Sequence, residues 1–211
     1  MFTKMQFLAP SVLGLLLAAA PLRASDADQS TTFNMVVSAG AKTCAPNATG
    51  TVRITPAGSV EIMDVMVQGL PPNTDFDFFV LQVPKAPFGV AWYQGDIETD
   101  KHGRGHERFV GRFSIETFSF AQSSAPAPVV FDGPFPDASL NPPFNPIQMY
   151  HLGLWFGSTD AAQQAGCPAT ITAFNGEHNA GIQVLNTSNF ADDQGPLREV
   201  NPSALKTNTQ N

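Results

Sequence analysis

The chain has 211 residues, with 18 acidic side chains against 11 basic ones and a formal net charge of -7 at pH 7. A chain of that sign repels nucleic acid and anionic lipid unless it carries a local basic patch, so neither is expected as a partner.

The first residues, "MFTKMQFLAPSVLGLLLAAAPLRAS", join Lys4 to an apolar run from Phe7 to Ala20 and end in small residues suited to cleavage near Ala24. This pattern predicts a secretory signal peptide over 1–24, and hence a secreted or periplasmic protein. The apolar run is broken by Pro10 and Gly14 and falls short of the roughly 20 residues a spanning helix needs, so no integral membrane segment is expected after cleavage. Loss of Lys4 and Arg23 with the leader would take the net charge from -7 to -9. The remaining ~187 residues suit one domain, expected over 30–190.

Eight segments in chain order are rich in β-branched or aromatic residues and are separated by Gly, Pro and Asn: "TFNMVVS", "GTVRITP", "GSVEIMDVMVQGL", "TDFDFFVLQV", "FGVAWYQGDIET", "GHERFVGRFSIETF", "MYHLGLWFGS" and "GIQVLNT". Many short strands with turns between them predict an all-β fold, read as an immunoglobulin-like antiparallel β-sandwich. In "TDFDFFV" the alternation puts Phe76, Phe78 and Val80 inward, with Asp75 and Asp77 outward as solvated residues. In "VEIMDVMV", Asp64 shares parity with Val60, Ile62 and Met66, which predicts a bulge near Met63. A single short helix is expected at "STDAAQQAG", 158–166, capped by Ser158 or Thr159 and ended by Gly166. Residues 121–148 carry seven prolines and predict a long Pro-rich excursion, packed down by Phe131, Phe135 and Phe144. The polar tail over 191–211 is expected to be loosely held.

Cys44 and Cys167 are the two cysteines, and an oxidising compartment predicts that they pair. No C-x-x-C or H-x-H spacing supports zinc. No G-x-S-x-G, H-E-x-x-H or Gly-rich phosphate loop is present, so an enzyme is disfavoured and no cofactor is expected.

The charged stretch is "WYQGDIETDKHGRGHERFVGRFSIETF", 92–118. "DKHG" followed by Arg104 predicts a three-residue hairpin loop with Gly103 left-handed. That register sets Asp100 against Arg104, Glu98 against His106, Asp96 against Arg108 and Trp92 against Arg112, a ladder of opposite charges on one face. Tyr93, Ile97, Phe109 and Phe113 then form the core side. Two metal readings compete with the ladder. In one, Asp100, His102 and His106 act as ligands; in the other, Asp96, Glu98 and Asp100 supply oxygen to calcium. Trp92 beside Arg112 is the ligand-binding candidate, able to stack on a sugar or aromatic group. His151 among aromatics and His178 beside Glu177 are the remaining candidates for catalysis. Asn47-Ala48-Thr49 and Asn186-Thr187-Ser188 match the glycosylation pattern.

"VQGLPPNTDFDFFV" resembles the strand–loop–strand pattern of fibronectin type III and immunoglobulin-like modules at Leu70, Pro72, Thr74 and Phe76. Those modules commonly have a corner tyrosine where Phe76 stands, so the resemblance implies a corner held here by packing alone. The chain is also similar to uncharacterised secreted bacterial β-sandwich proteins through "WYQGDIETD", "GRFSIETF" and "FNGEHNAGIQVLNTSNF", a resemblance that implies no activity. "GDIETDKHGRG" resembles the Asp-containing turn of copper/zinc superoxide dismutases, but that family needs six histidines and this chain has four. The combined expectation is a secreted binding or structural module that recognises an extracellular protein or glycan. The alternative is a metal-dependent or hydrolytic enzyme using His102/His106 or His151/His178.

Overall fold

A computed structural model describes residues 30–120 and 146–201. The expected leader at 1–24, most of the Pro-rich excursion and residues 202–211 lie outside the described residues.

The architecture is all-β and antiparallel with one short α-helix. The strands are β1 (Thr31–Val37), β2 (Thr49–Ala57), β3 (Val60–Gln68), β4 (Asp75–Leu81), β5 (Ala91–Glu98), β6 (Gly105–Gly111), β7 (Phe118–Ser119), β8 (Ile147–Gln148), β9 (His151–Phe156) and β10 (Gln183–Asn186). Eight of them hydrogen-bond in the order β5-β4-β9-β10-β1-β2-β3-β6, and β7 pairs with β8 apart from them. β1 changes partner along its length, with Thr31–Met35 on β2 and Val36–Val37 on β10, so it joins the two halves into one sheet.

The end strands β5 and β6 are linked by the tight turn at Asp100–Arg104, and the sheet curls into a nearly closed barrel. The Phe109 ring from β6 packs over Gly95 of β5, where an added Cβ would lie 2.8 Å from it, and stacks on Phe78 at 5.5 Å between centroids. A side chain on Gly105 would lie 2.9 Å from the Glu98 carbonyl oxygen. No ladder joins β5 to β6 among the described residues; β5 pairs with β4, and β6 pairs with β3.

That pairing corrects the expected hairpin. Its turn forms as read: Asp100 N–H donates to the Arg104 carbonyl (2.8 Å), Gly103 N–H to the Asp100 carbonyl (3.0 Å), and Gly103 has φ +69°. The charge ladder beyond the turn does not form, because the two strands part to opposite ends of the sheet. Opposite charges meet instead across β3 and β6, where Arg108 Nε donates to Asp64 Oδ1 at 2.7 Å.

The interior is built from alternate residues. On β3, Met63, Val65 and Val67 face in with Glu61, while Ile62, Asp64 and Met66 face out. Its register with β2 runs unbroken from Gln68 to Val60, so the bulge expected near Met63 is absent. The irregularity lies in β5 instead. Gly95 opposes Phe78 and Tyr93 opposes Phe79, leaving Gln94 as the extra residue. One inserted residue inverts the alternation. Trp92 therefore turns toward the main core and Tyr93 turns out, 48% exposed, the reverse of the expected assignment.

The corner at Leu70–Phe76 is not held by packing alone. Thr99 Oγ1 accepts the Thr74 N–H (2.9 Å) and donates to the Pro71 carbonyl (2.7 Å), so a threonine on the neighbouring loop supplies the hydroxyl that Phe76 lacks. The helix, α1 (Thr159–Gln164), is capped as expected by Ser158, whose side chain accepts the Ala161 N–H, and Gly166 follows with φ +77°. The Cys167 N–H donates to the Ala162 carbonyl (2.8 Å), and Cys167 is disulfide-bonded to Cys44 with a Cα–Cα distance of 5.1 Å. From 191 to 201 the chain stays docked: Leu197 and Val200 are buried, and the Leu197 N–H donates to the Tyr150 carbonyl (3.2 Å). Among the described residues, no helix is long and apolar enough to cross a membrane.

Candidate functional site

Two clefts lie on opposite faces of β5, and the Gln94 bulge decides which side chains each receives. The first, about 570 Å³, opens where β5 and β6 part and is lined by Trp92, Gln94, Arg112, Phe113, Glu116 and Phe118 among others. Both residues of the expected ligand-binding pair are in its wall. Trp92 is half-buried, and its Nε1–H donates to Gln94 Oε1 (3.1 Å), which fixes the indole plane. The Arg112 guanidinium is held from three sides: it donates to the Ser59 carbonyl (2.8 Å), contacts Glu116, and lies 3.7 Å from Glu61. Glu61 is fully buried and accepts the Phe113 N–H (2.9 Å), so Arg112 also serves as counter-ion to a core carboxylate. Phe118 and Phe120 meet edge to face at 5.4 Å beside this cleft and, with Ile115, leave apolar surface exposed.

The second cleft, about 420 Å³, lies on the outer face of β4 and β5 under the loop at 174–179. The alternation that sends Phe76 and Phe78 inward aims Asp75 and Asp77 here, and the register sets Asp77 opposite Asp96 and Asp75 opposite Glu98. Oxygens of Asp75, Asp77 and Asp96 lie within 4.8 Å of one another. The expectation that Asp75 and Asp77 are solvated is half right. Asp75 is exposed, whereas Asp77 is 4% exposed and its Oδ2 has no hydrogen-bond partner. The register partner of Asp77 on β9 is Trp155, which belongs to a second apolar cluster built from Phe79, Leu81 and Trp155 with Phe88 and Phe174 packed on them. Asn175 ties the loop down: its Nδ2 donates to the Gly157 carbonyl (2.9 Å) and its Oδ1 accepts the Asn179 N–H (2.9 Å).

Burial, then the negative charges of Asp75 and Asp96, push the Asp77 carboxyl up to about 7. Burial and the neighbouring Asp96 and Glu98 raise Asp75 in the same direction. Tyr93 donates its hydroxyl to Asp96, and burial together with that bond raises the phenol. By contrast, the Asp64 carboxyl is held below the usual range by Arg108.

The histidines occupy separate settings. His102 is exposed at the turn, where its N–H and that of Arg104 donate to Asp100 Oδ1 (2.7 and 3.0 Å) and lower that carboxyl. His106 points out from β6 with Nε2 3.4 Å from Asp64. His151 is fully buried, its ring nitrogens 2.9 Å from Thr187 Oγ1 and 3.0 Å from the Asp192 carbonyl oxygen, and burial lowers its pKa. His178 is exposed in the 174–179 loop at φ 56°. Among the described residues, no histidine joins two further ligating side chains in one cluster. Of the expected calcium donors, Asp96 turns to Asp75 and Asp77, Glu98 faces Asp75 across the strands, and Asp100 is used by the turn. The Asn186 side chain, half of the second glycosylation pattern, is buried and donates to Gln183 (2.8 Å).

Asp75 and Asp77 were visible in the sequence as two carboxylates on one strand face. Asp96 was expected as an oxygen donor with Glu98 and Asp100; its grouping with Asp75 and Asp77 was not legible, because it depends on β5 pairing with β4.

No protein-family model and no curated protein matches the chain.

Proposed function

We propose that this is a secreted binding module that recognises an extracellular glycan or protein through the cleft at the β5–β6 opening. The observation that carries this reading is the joint placement of Trp92, Arg112 and Glu116 in one concave, largely apolar wall beside exposed Phe118 and Phe120. Ligand sites are concave and apolar with a few fixed polar groups, and a held indole beside a guanidinium and a carboxylate is the chemistry that receives a sugar's C–H face and hydroxyls. Of the two ligand classes, a glycan suits this wall better. The Cys44–Cys167 bridge is compatible with an oxidising extracellular or periplasmic location, and cleavage of a leader over 1–24 belongs to the same proposal. So does the immunoglobulin-like sandwich, supported by the Leu70–Phe76 corner and by the change of pairing partner along β1. The histidines give the enzyme alternative no shared site among the described residues.

A glycan-array and pull-down screen on the purified protein, with Trp92→Ala as comparison, tests this reading. Binding lost in a Trp92→Ala protein that keeps its melting temperature supports it. Binding that survives Trp92→Ala, or no binding in either screen, overturns it.

A further inference from the structure

We propose that the outer cleft of β4 and β5 is a divalent-cation site of the calcium type, with the carboxylates of Asp75, Asp77 and Asp96 as its protein ligands. This inference is independent of the ligand reading above, since it uses the opposite face of β5.

The geometry comes from strand pairing. Asp75 and Asp77 are two apart on β4, so both project to the outer face, and the register brings Asp96 of β5 directly opposite Asp77. Like charges opposite each other on a sheet destabilise it. Yet one oxygen from each of these three side chains falls within 4.8 Å of the others.

Two further observations point to a ligand in this space. Asp77 is 4% exposed, lines the cleft, and has an Oδ2 without a hydrogen-bond partner, which is the condition a metal ligand meets before its ion binds. The charge balance is also open. The cleft lining includes Glu177 as a fourth carboxylate and no lysine or arginine, and none of the four carboxylates has an ion pair among the described residues. The other carboxylates near basic side chains are used differently: Asp64 takes Arg108, Glu61 and Glu116 take Arg112, and Asp192 takes Lys85.

The donor chemistry selects the ion. The cluster offers only oxygen, without histidine or thiolate, which disfavours zinc and copper and suits a hard cation. Calcium takes about 6–8 oxygens in flexible geometry. Three carboxylates supply the charge, the Glu177 and Asn179 side chains stand at the rim, and water would complete the shell. Magnesium's demand for a near-ideal octahedron fits a strand-borne trio less well.

The test is calorimetric titration of the purified, metal-stripped protein with calcium chloride and, separately, magnesium chloride, paired with thermal unfolding in calcium and in chelator at constant ionic strength. The expected result is one bound calcium per chain and a melting temperature several degrees higher in calcium. Asp77→Asn and Asp96→Asn should each weaken calcium binding by about tenfold or more. Asp77→Asn should also raise the melting temperature in chelator, which shows that the variant folds and that the lost binding is local. Glu107→Gln, the same loss of charge on β6, should leave calcium affinity within about twofold. No calcium heat and no thermal shift in the unsubstituted protein would overturn the proposal; the cluster would then be held by shared protons. Equal responses to magnesium and calcium would overturn the calcium-type assignment.

Discussion

Asp77 and Trp155 face each other across β4 and β9, and each has a buried polar atom, Oδ2 and Nε1, with no hydrogen-bond partner. Trp155 is fully buried under Phe79, Phe88 and Phe174, with ring centroids 5.2 to 5.5 Å away. The outer face of the sheet therefore carries an unsatisfied acceptor and an unsatisfied donor in neighbouring positions, the donor beneath an aromatic lid.

Trp155→Phe keeps an aromatic ring in that lid and removes the orphaned donor. Leaving a buried donor unsatisfied costs about 1–3 kcal/mol, which offsets the packing lost with the smaller ring, so the net change in stability should stay below about 1 kcal/mol. Urea unfolding of the two proteins measures it. A loss above about 2 kcal/mol would mean that the indole N–H has a partner in solution.

Reduction of Cys44–Cys167 opens a link between residues 123 apart in sequence. The chain-entropy account assigns such a link about 4–5 kcal/mol. The melting temperature should fall by several degrees in reductant, and scanning calorimetry of an oxidised and a reduced sample checks it. An unchanged value with both thiols shown to be free would remove the stapling argument.

His151 gives stability a definite pH direction. Burial lowers its pKa below the ordinary 6.5, so the fold holds the neutral ring while the unfolded chain takes up a proton near 6.5. The unfolded state then binds more protons between the folded pKa and 6.5. This contribution is fully present above that window and is lost as pH falls through it, with a slope of at most about 1.4 kcal/mol per pH unit. Following the His151 ring proton by NMR should show titration below 6.5. An apparent pKa above 6.5 would reverse the sign.

Asp64 and His106 should respond unequally to removal. His106 is exposed and 3.4 Å from the carboxylate, so His106→Ala should cost under about 1 kcal/mol. Asp64 receives both Nε and Nη2 of Arg108, at 2.7 and 3.2 Å, and sits in the middle of β3, so Asp64→Ala should cost more than His106→Ala. Urea unfolding at low and high salt compares them. A larger loss for His106→Ala would show that the ring, not the guanidinium, holds the carboxylate.

Local chemistry in the sequence located the eight long strands, the Asp100–Gly103 turn, the Ser158 cap and the cysteine pair, because each depends on residues close in the chain or on a single pairing. Strand partners were another matter. A tight turn at Gly103 shows that the chain reverses, but whether β5 then zips to β6 depends on where β3 and β4 lie, and those strands compete successfully for both. The solvated reading of Asp77 failed for a similar reason. Its outward parity was legible, whereas the loop carrying Phe174 and Asn175, which roofs it, arrives from almost a hundred residues away. Trp92 and Tyr93 were exchanged because strict alternation has no place for Gln94.

That extra residue has a wider consequence. Trp92 and Tyr93 are neighbours in the chain, yet one lines the cleft at the β5–β6 opening and the other the carboxylate cleft. Between Gly95 and Tyr93, Gln94 works as a phase shifter. Pairing it into the ladder would turn every β5 side chain on one flank to the opposite face and exchange the indole and the phenol, whereas deleting it would leave Tyr93 opposite Phe79 and both side chains on their present faces. The two candidate sites are thus coupled in the gene before they can be coupled in the protein: they share a reading phase along one strand.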